Sequence, residues 1–543
     1  NFGRDNFFTP FKNFNKIPIF GKKFSNTRFY YTPSTFDLNL KASEVINNNT
    51  PRIGESKSIY NLGLDRNFRL GYKILENLNS NYSKVIKSDL DHYRDNYLKA
   101  INKIDPGIVT DINENITTSF SPVIATWFRP NFNINSNYRW AKPIESTQEG
   151  ARITSQGRFS TSLNITPKAI IEIFYKPTST SITNKSRSRG RGRTKNNSED
   201  ISNEKKQKQN QKVIDPRTKK LFEFFHSTAS RINPISLTYG NNRTENGFGV
   251  LGSPSLAYRF GFENQHNLNY SDEVGVNTGS IQSQKDYSIR SGVALTRLIN
   301  TSFGFSRNKS TNVDGSQIKT ETETSDFIPI GIMGDEGFAF PGWSFRFGGV
   351  EKFPFIKKIA RTATIEHVFN GKQTKSWKNE DLQTSKYTAS FSPLAGISLS
   401  TKGGVTLSSR YAIVSTIDNR YGGINSTRFK KDNTLTASSN YAYRGGINIP
   451  LPFFRDFTFN NTINFTLTFD YSNSVTKERN DIQYDLSTTD IRKSWKLSPR
   501  ISYTFGKNIT GGIWYEYRES QSKIIGRKVD RDFGFDVNVP IQG

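Results

Sequence analysis

Phe457 to Tyr471 reads FTFNNTINFTLTFDY, in which Phe457, Phe459, Ile463, Phe465, Leu467, Phe469 and Tyr471 share one parity and Thr, Asn and Asp fill most of the other. One greasy and one wet side at a period of two is the mark of a strand. A soluble strand is usually about 5 or 6 residues long, and about 9 to 11 tilted residues cross a bilayer. Here the alternation holds over 15 residues. The stretch therefore predicts a membrane-spanning strand of a β-barrel. Its polar side offers Thr and Asn rather than close-packing aliphatics, as expected of a face turned to water in a lumen.

The same unit recurs along the chain. After an apolar turn region through Phe11, Phe14 and Ile17 to Phe20, alternation begins at Phe36, Leu38, Leu40 and Ala42 and returns from Leu62 to Tyr72, and a short turn at Glu76 and Asn77 leads into another strand ending near Tyr82. Lys84 to Asn113 is polar and weakly patterned, and reads as a long loop with room for a helix. Ile116–Trp127 and Phe132–Trp140 read as a pair joined through a turn at Arg129, Pro130 and Asn131, where proline removes no ladder bond. Gly157–Ile165 is a further strand. Lys168–Tyr175 and Lys219–Arg231 do not alternate and read as short helices.

From Ile235 onward the expected strands are Ile235–Asn241, Ser255–Phe262, a weak one near Leu268, Tyr287–Leu295, Ser302–Ser306, Phe338–Phe347, Arg361–Phe369, Tyr387–Leu399, Val405–Val414, Thr434–Ile449, Trp495–Phe505, Ile509–Tyr517 and Phe533–Ile541. That is about 20 in all, even in number as bacterial barrels require. Tight connections at Thr401–Gly404, Pro452–Asp456 and Gly506–Asn508 alternate with long polar ones at Asp418–Asp432, Ser472–Arg492 and Glu519–Asp530. Short periplasmic turns against long outer loops is the outer-membrane pattern. The expected organisation is wall strands over 1–176, a basic insertion over 177–215, and wall strands over 216–543.

Composition agrees with a wall one residue thick. Hydrophobic residues are 34% and mean hydropathy is −0.63, yet aromatics reach 13%, with 42 Phe and 23 Tyr. Few aliphatics with many aromatics suits barrel girdles better than a packed core. No apolar run approaches the roughly 20 residues of a spanning helix, which excludes a helical membrane protein. The net charge is +27. About a quarter of it sits between Thr178 and Val213, where ten Lys or Arg face three acids for a net of +7. That low-complexity tract reads as a solvated, disordered insertion on the periplasmic side. Its RGRGR run lacks the interleaved aromatics of single-strand binders, so nucleic acid is not an expected partner. The remaining charge suits loops beside anionic lipid and lipopolysaccharide.

Candidate chemistry is sparse. With no Cys there is no disulfide, thiolate site or Cys nucleophile. His92, His226, His266 and His367 lack metal spacing, and His367 in TIEHVF reads as a wall residue. GIMGDEG, Gly331 to Gly337, lacks the lysine of a phosphate loop. Glu321 with Glu323, and Asp335 with Glu336, read as solvated loop carboxylates. No enzyme, cofactor or metal is expected. NFGRDNFF at Asn1 has no signal-peptide pattern, so either a leader was cleaved or the chain is the later part of a longer polypeptide.

Several edge motifs are similar to one family. PGWSFRFGG (Pro341–Gly349), GVEKFPFIKKIARTATIEHVFNG (Gly349–Gly371), FSPLAGI (Phe391–Ile397), INIPLPFF (Ile447–Phe454) and the ending DFGFDVNVPIQG together resemble the C-terminal part of the SprA (Sov) family. These are the outer-membrane translocons of type IX secretion, tied to gliding motility. The resemblance implies passage of folded cargo proteins bearing a C-terminal targeting domain, a lateral opening capped by a PorV-type shuttle barrel, and a periplasmic plug protein at the inner mouth. Family members are several times longer, so it also implies a fragment of a larger barrel. On this reading Phe465, Leu467 and Phe469 face lipid, while Thr466, Lys496 and Arg500 line a hydrated, somewhat basic pore. Phe353, Pro354, Phe355, Pro452, Phe453 and Phe454 pack at the periplasmic rim. The competing expectations are another outer-membrane barrel, of the lipopolysaccharide-assembly or TonB-dependent type, and a soluble β-sandwich adhesin.

Overall fold

The structure, a computed structural model, describes residues 7–9, 27–49, 57–94, 103, 105–142, 150–175, 216–271, 279–330, 336–448, 458–459, 461–480, 485–505 and 509–538. Twenty-two strands form one antiparallel sheet, and Ile447–Asn448 with Thr458–Phe459 make a separate small pair. The fold is all-β, an antiparallel barrel wall with a few short helices in its connections. No described helix is long and apolar enough to cross a membrane.

The long strands follow one another as a meander, and opposite residues in the ladder share a face. One row runs Val405, Tyr441, Phe465, Ile501, Ile513, Phe535. A second, six residues further up the strand on Phe465's side, runs Tyr411, Leu435, Tyr471, Trp495. The parity between them carries Thr406, Asn440, Thr466 and Arg500, then Ser408, Ser438, Thr468 and Ser498. An apolar band closed by aromatics on one face and hydroxyls, amides and charges on the other is a membrane-spanning wall with a wet interior.

One wall position is built from two pieces. Lys319–Ile330 pairs through its first residues with both Ile299–Val313 and Ala360–Lys378, then turns away at Phe327 to pair with Glu336–Ala339. Gly342–Gly348 re-enters the gap between the same two neighbours. Asp326 seals the break by accepting bonds from the Ser306 amide (2.6 Å) and hydroxyl (2.9 Å). A Cβ on Gly371 would lie 1.8 Å from the Phe327 carbonyl, so only glycine admits the exit.

Among the described residues the wall ends in two edges that have no further ladder partner. Thr35–Asn49 is registered with Lys57–Leu75 alone, and Gly526–Asn538 with Thr510–Ser522 alone. Leu40 on the first edge is 64% exposed and Phe535 on the last 82%, against 36% for Phe465 inside the wall.

Several expectations are corrected. Both ends of Lys84–Asn113 are strand, 84–89 closing Leu78–Asp89 and 108–113 opening Ile108–Phe120, with a short 3-10 turn at Asp91–Tyr93; 95–102 and 104 lie outside the described residues. Arg129 to Asn131 lie inside Phe128–Ala141, the connection being 121–127. Ser255–Phe262 holds the helix Leu256–Arg259, and Leu268 is not in a strand. Glu321 and Glu323 stand on a strand, paired with Lys309 (2.6 Å) and Arg307 (2.9 Å). The long polar loops shrink to 421–425, 481–486 and 523–525, because the ladders continue beyond the apolar band. Ladder bonds do not need a greasy face, and alternation disappears where both faces are wet. The opening stretch divides as well: the wall strand is Ile463–Asn480, while Thr458–Phe459 belongs to the small pair. The helices Pro167–Phe174 and Pro216–Ala229 are found where expected. The 177–215 tract lies outside the described residues.

Candidate functional site: the inner face and a clasp on the outer one

The inner face is lined by amides, hydroxyls and charged groups. Along Ile108–Phe120 and Phe128–Ala141 it presents Asn113, Asn115, Thr117 and Ser119 opposite Arg139, Asn137, Asn135 and Asn133. Asn137 donates to Asn113 at 3.3 Å. Toward the C-terminus Thr466 stands opposite Asn440 and Arg500. The structure thus brings Thr466, Lys496 and Arg500 onto one face, the one opposite Phe465, Leu467 and Phe469.

The expected basic character there is corrected. Lys496 is 2.8 Å from Glu516, which also pairs with Arg518. Arg500 reaches both oxygens of Asp536 at 2.9 and 2.8 Å. That bridge crosses the intervening strand above Gly512, where a Cβ would lie 3.0 Å from Asp536 Oδ1. Arg410 meets Glu366 at 2.8 Å. These cations have acids one or two strands away, which the linear sequence separates. Near the upper end the face encloses a polar concavity of about 1030 Å³, lined by Arg428, Lys430, Asp490 and Arg492 among others. Paired charges and small polar groups make this a face that holds water.

At the lower end, Val350, Ala360 and Ala363 form a small buried cluster against Phe347, Ile356 and Leu399. Phe353 meets the Phe347 ring edge-on at 6.0 Å. Pro354 opens a four-residue helix. Phe355 is corrected: it is not packed at the rim but largely exposed. Pro452, Phe453 and Phe454 lie outside the described residues. Glu351 accepts the Ala363 amide at 3.0 Å, and that bond first of all holds its carboxyl below the usual range.

Sequence reasoning missed a second feature, on the outward parity. The connection after Ile235–Val250 folds back over the wall, placing Tyr258 against Tyr138, Ile153 and Val250 and Phe260 on Tyr82 at 5.6 Å. Beneath it Glu114, 1% exposed, is 2.8 Å from Lys84 and 3.0 Å from Arg259. Arg243 joins Glu245 at 3.1 Å and donates to the Asn264 carbonyl. Irregular backbone is not stable against lipid, so this patch marks where the outward face is not in hydrocarbon. The available signal was Ser255 after Pro254, whose hydroxyl accepts the Tyr258 amide at 3.1 Å as a helix cap.

Two of the four histidines are bonded within the scaffold: His367 Nδ1 meets the Leu394 carbonyl at 2.7 Å, and His266 meets Tyr270 at 2.9 Å. No group of His, Asp and Glu suited to a metal occurs among the described residues.

No protein-family model and no curated protein sequence matches the chain. Among solved structures it is similar to the siderophore receptor PirA from Acinetobacter baumannii, with 9% identity and a TM-score of 0.21 over 88% of this chain and 71% of the receptor. A likeness of that degree carries no argument, and the wall geometry stands on its own.

Proposed function

We propose that this chain is part of the wall of an outer-membrane, protein-conducting barrel of the type IX secretion kind, and that it works without covalent chemistry or cofactor. The observation that carries the proposal is a wall whose inner face is wet and lined by paired charges and whose two end strands have no further ladder partner among the described residues. A sheet in lipid cannot leave a ladder unpaired, so strands beyond the described ones complete the barrel. The edge motifs at Gly349–Gly371 and Phe391–Ile397 support the SprA-like assignment and, with it, folded cargo, a PorV-type cap and a periplasmic plug. Phe465, Leu467 and Phe469 hold the wall in lipid; Thr466, Lys496 and Arg500 with their acids keep the lumen hydrated.

Two measurements test this. The protein should fractionate with outer membranes and migrate differently on gels with and without boiling; recovery in the soluble fraction would sink the barrel. Deleting the gene should trap cargo bearing a C-terminal targeting domain in the periplasm, and undiminished secretion would reject the translocon.

A further inference from the structure

Among the described residues, the two helices between Ala151–Ile165 and Ile235–Val250 are packed on one side only. Tyr175, next to the first helix, stacks on Phe222 at 5.9 Å and donates to Glu223 at 3.1 Å; Glu172 meets His226 at 3.4 Å. On the second helix Leu221, Phe224 and Phe225 follow an i, i+3, i+4 spacing that places them on one stripe. With Ile173 and Phe174 of the first, they are 46% to 68% exposed. A soluble surface rarely tolerates such a cluster without an occupant.

Placement identifies the occupant. Ile165 and Ile235 stand opposite each other at the end of the wall, and Thr166 alone separates Ile165 from Pro167, the first helical residue. The helix pair therefore hangs from the lower margin of the apolar band, continuous with a lipid-facing surface. Lys168 and Lys220 are exposed on these helices, and the sequence joining them carries the ten-to-three excess of basic over acidic residues. An apolar stripe beside cations matches a leaflet with anionic headgroups.

We infer that the helix pair is an interfacial anchor, which lays Leu221, Phe224 and Phe225 into the leaflet at the lower margin of the wall and takes anionic phospholipid as its ligand. The inference rests on the wall being embedded in lipid. The absence of native cysteine makes the test clean. Nitroxide labels are placed singly by Phe224→Cys, Glu223→Cys and Leu467→Cys in the full chain, reconstituted in vesicles with or without phosphatidylglycerol. At Phe224 oxygen should relax the label severalfold more than a water-soluble nickel chelate does, more strongly with phosphatidylglycerol. At Glu223, on the other side of the helix, the preference should reverse. Nickel access at Phe224 equal to that at Glu223 overturns the anchor, and so does protection from both reagents, which means a protein segment covers the stripe. The Leu467 label should favour oxygen in every vesicle; if it does not, the wall reading fails rather than the anchor.

Discussion

The outward parity carries two unlike surfaces. Around Phe465 it is bare, with Ile501, Ile513 and Leu467 open to lipid and Tyr471 and Trp495 closing the band. Around Tyr138 it is covered by the chain's own connection, which buries Glu114 between Lys84 and Arg259. Both belong to the same side of the same sheet. Parity therefore decides which face a residue is on, and what covers that face is decided by segments far away in sequence. The first surface needs only apolar side chains to match its solvent. The second shuts charge away from water, and is stable only while every partner is present.

Breaking the clasp should have the largest effect. Glu114→Ala leaves the partly buried Lys84 and Arg259 without their buried anion and should cost about 3–5 kcal/mol, read as a lower urea midpoint for the refolded protein. Arg259→Ala should be similar, and the double variant should cost less than the two together because they share one network. A loss under about 1 kcal/mol for Glu114→Ala would place this carboxylate in water instead.

The bare surface should be broken by charge rather than by its removal. Leu467→Arg should cost about 2–4 kcal/mol in a bilayer, whereas Thr466→Arg on the inner face should leave the midpoint nearly unchanged. Equal costs at the two neighbours would mean that the assigned faces are wrong. Arg500→Ala removes a half-exposed pair with Asp536 and should change stability by less than about 1 kcal/mol; its effect belongs to the lumen field, measurable as altered ion selectivity in planar bilayers.

The smallest effect concerns the outer turn at 314–318. Asp314 accepts from the Ser316 hydroxyl (2.7 Å) and amide (3.1 Å) and from the Ile318 amide (3.0 Å), and these bonds, the Ser316 hydroxyl foremost, lower its pKa. A depressed carboxyl stabilises above its unfolded pKa, and that stabilisation is lost as pH falls through the folded value. A spin label introduced by Gly315→Cys should gain mobility on acidification below the ordinary carboxylate range, and Asp314→Ala should abolish that pH dependence. Mobility that is flat with pH in the unaltered turn would refute the role of Asp314.

Legibility along the chain followed solvent contrast. Where lipid lies on one side and water on the other, as from Ile463 to Tyr471 or Arg361 to Phe369, alternation named the strand and its faces. Where both sides are wet, as from Ser472 to Asn480 or Lys319 to Asp326, the ladder persisted without a pattern, so strands were read as loops. Ser255–Phe262 was misassigned because its apolar residues answer to Tyr138 and Ile153, over a hundred residues earlier, rather than to a local period.

Sequence by itself therefore determined the fold class, the two faces of the C-terminal wall, the two short helices and the absence of thiol chemistry, since each depends on local pattern or composition. Only the tertiary structure decided that Lys496 and Arg500 are neutralised, that one wall position is shared by two segments, and that a connection covers Glu114. Those features depend on which strands are neighbours, and cross-strand distance is set by ladder register rather than by separation along the chain.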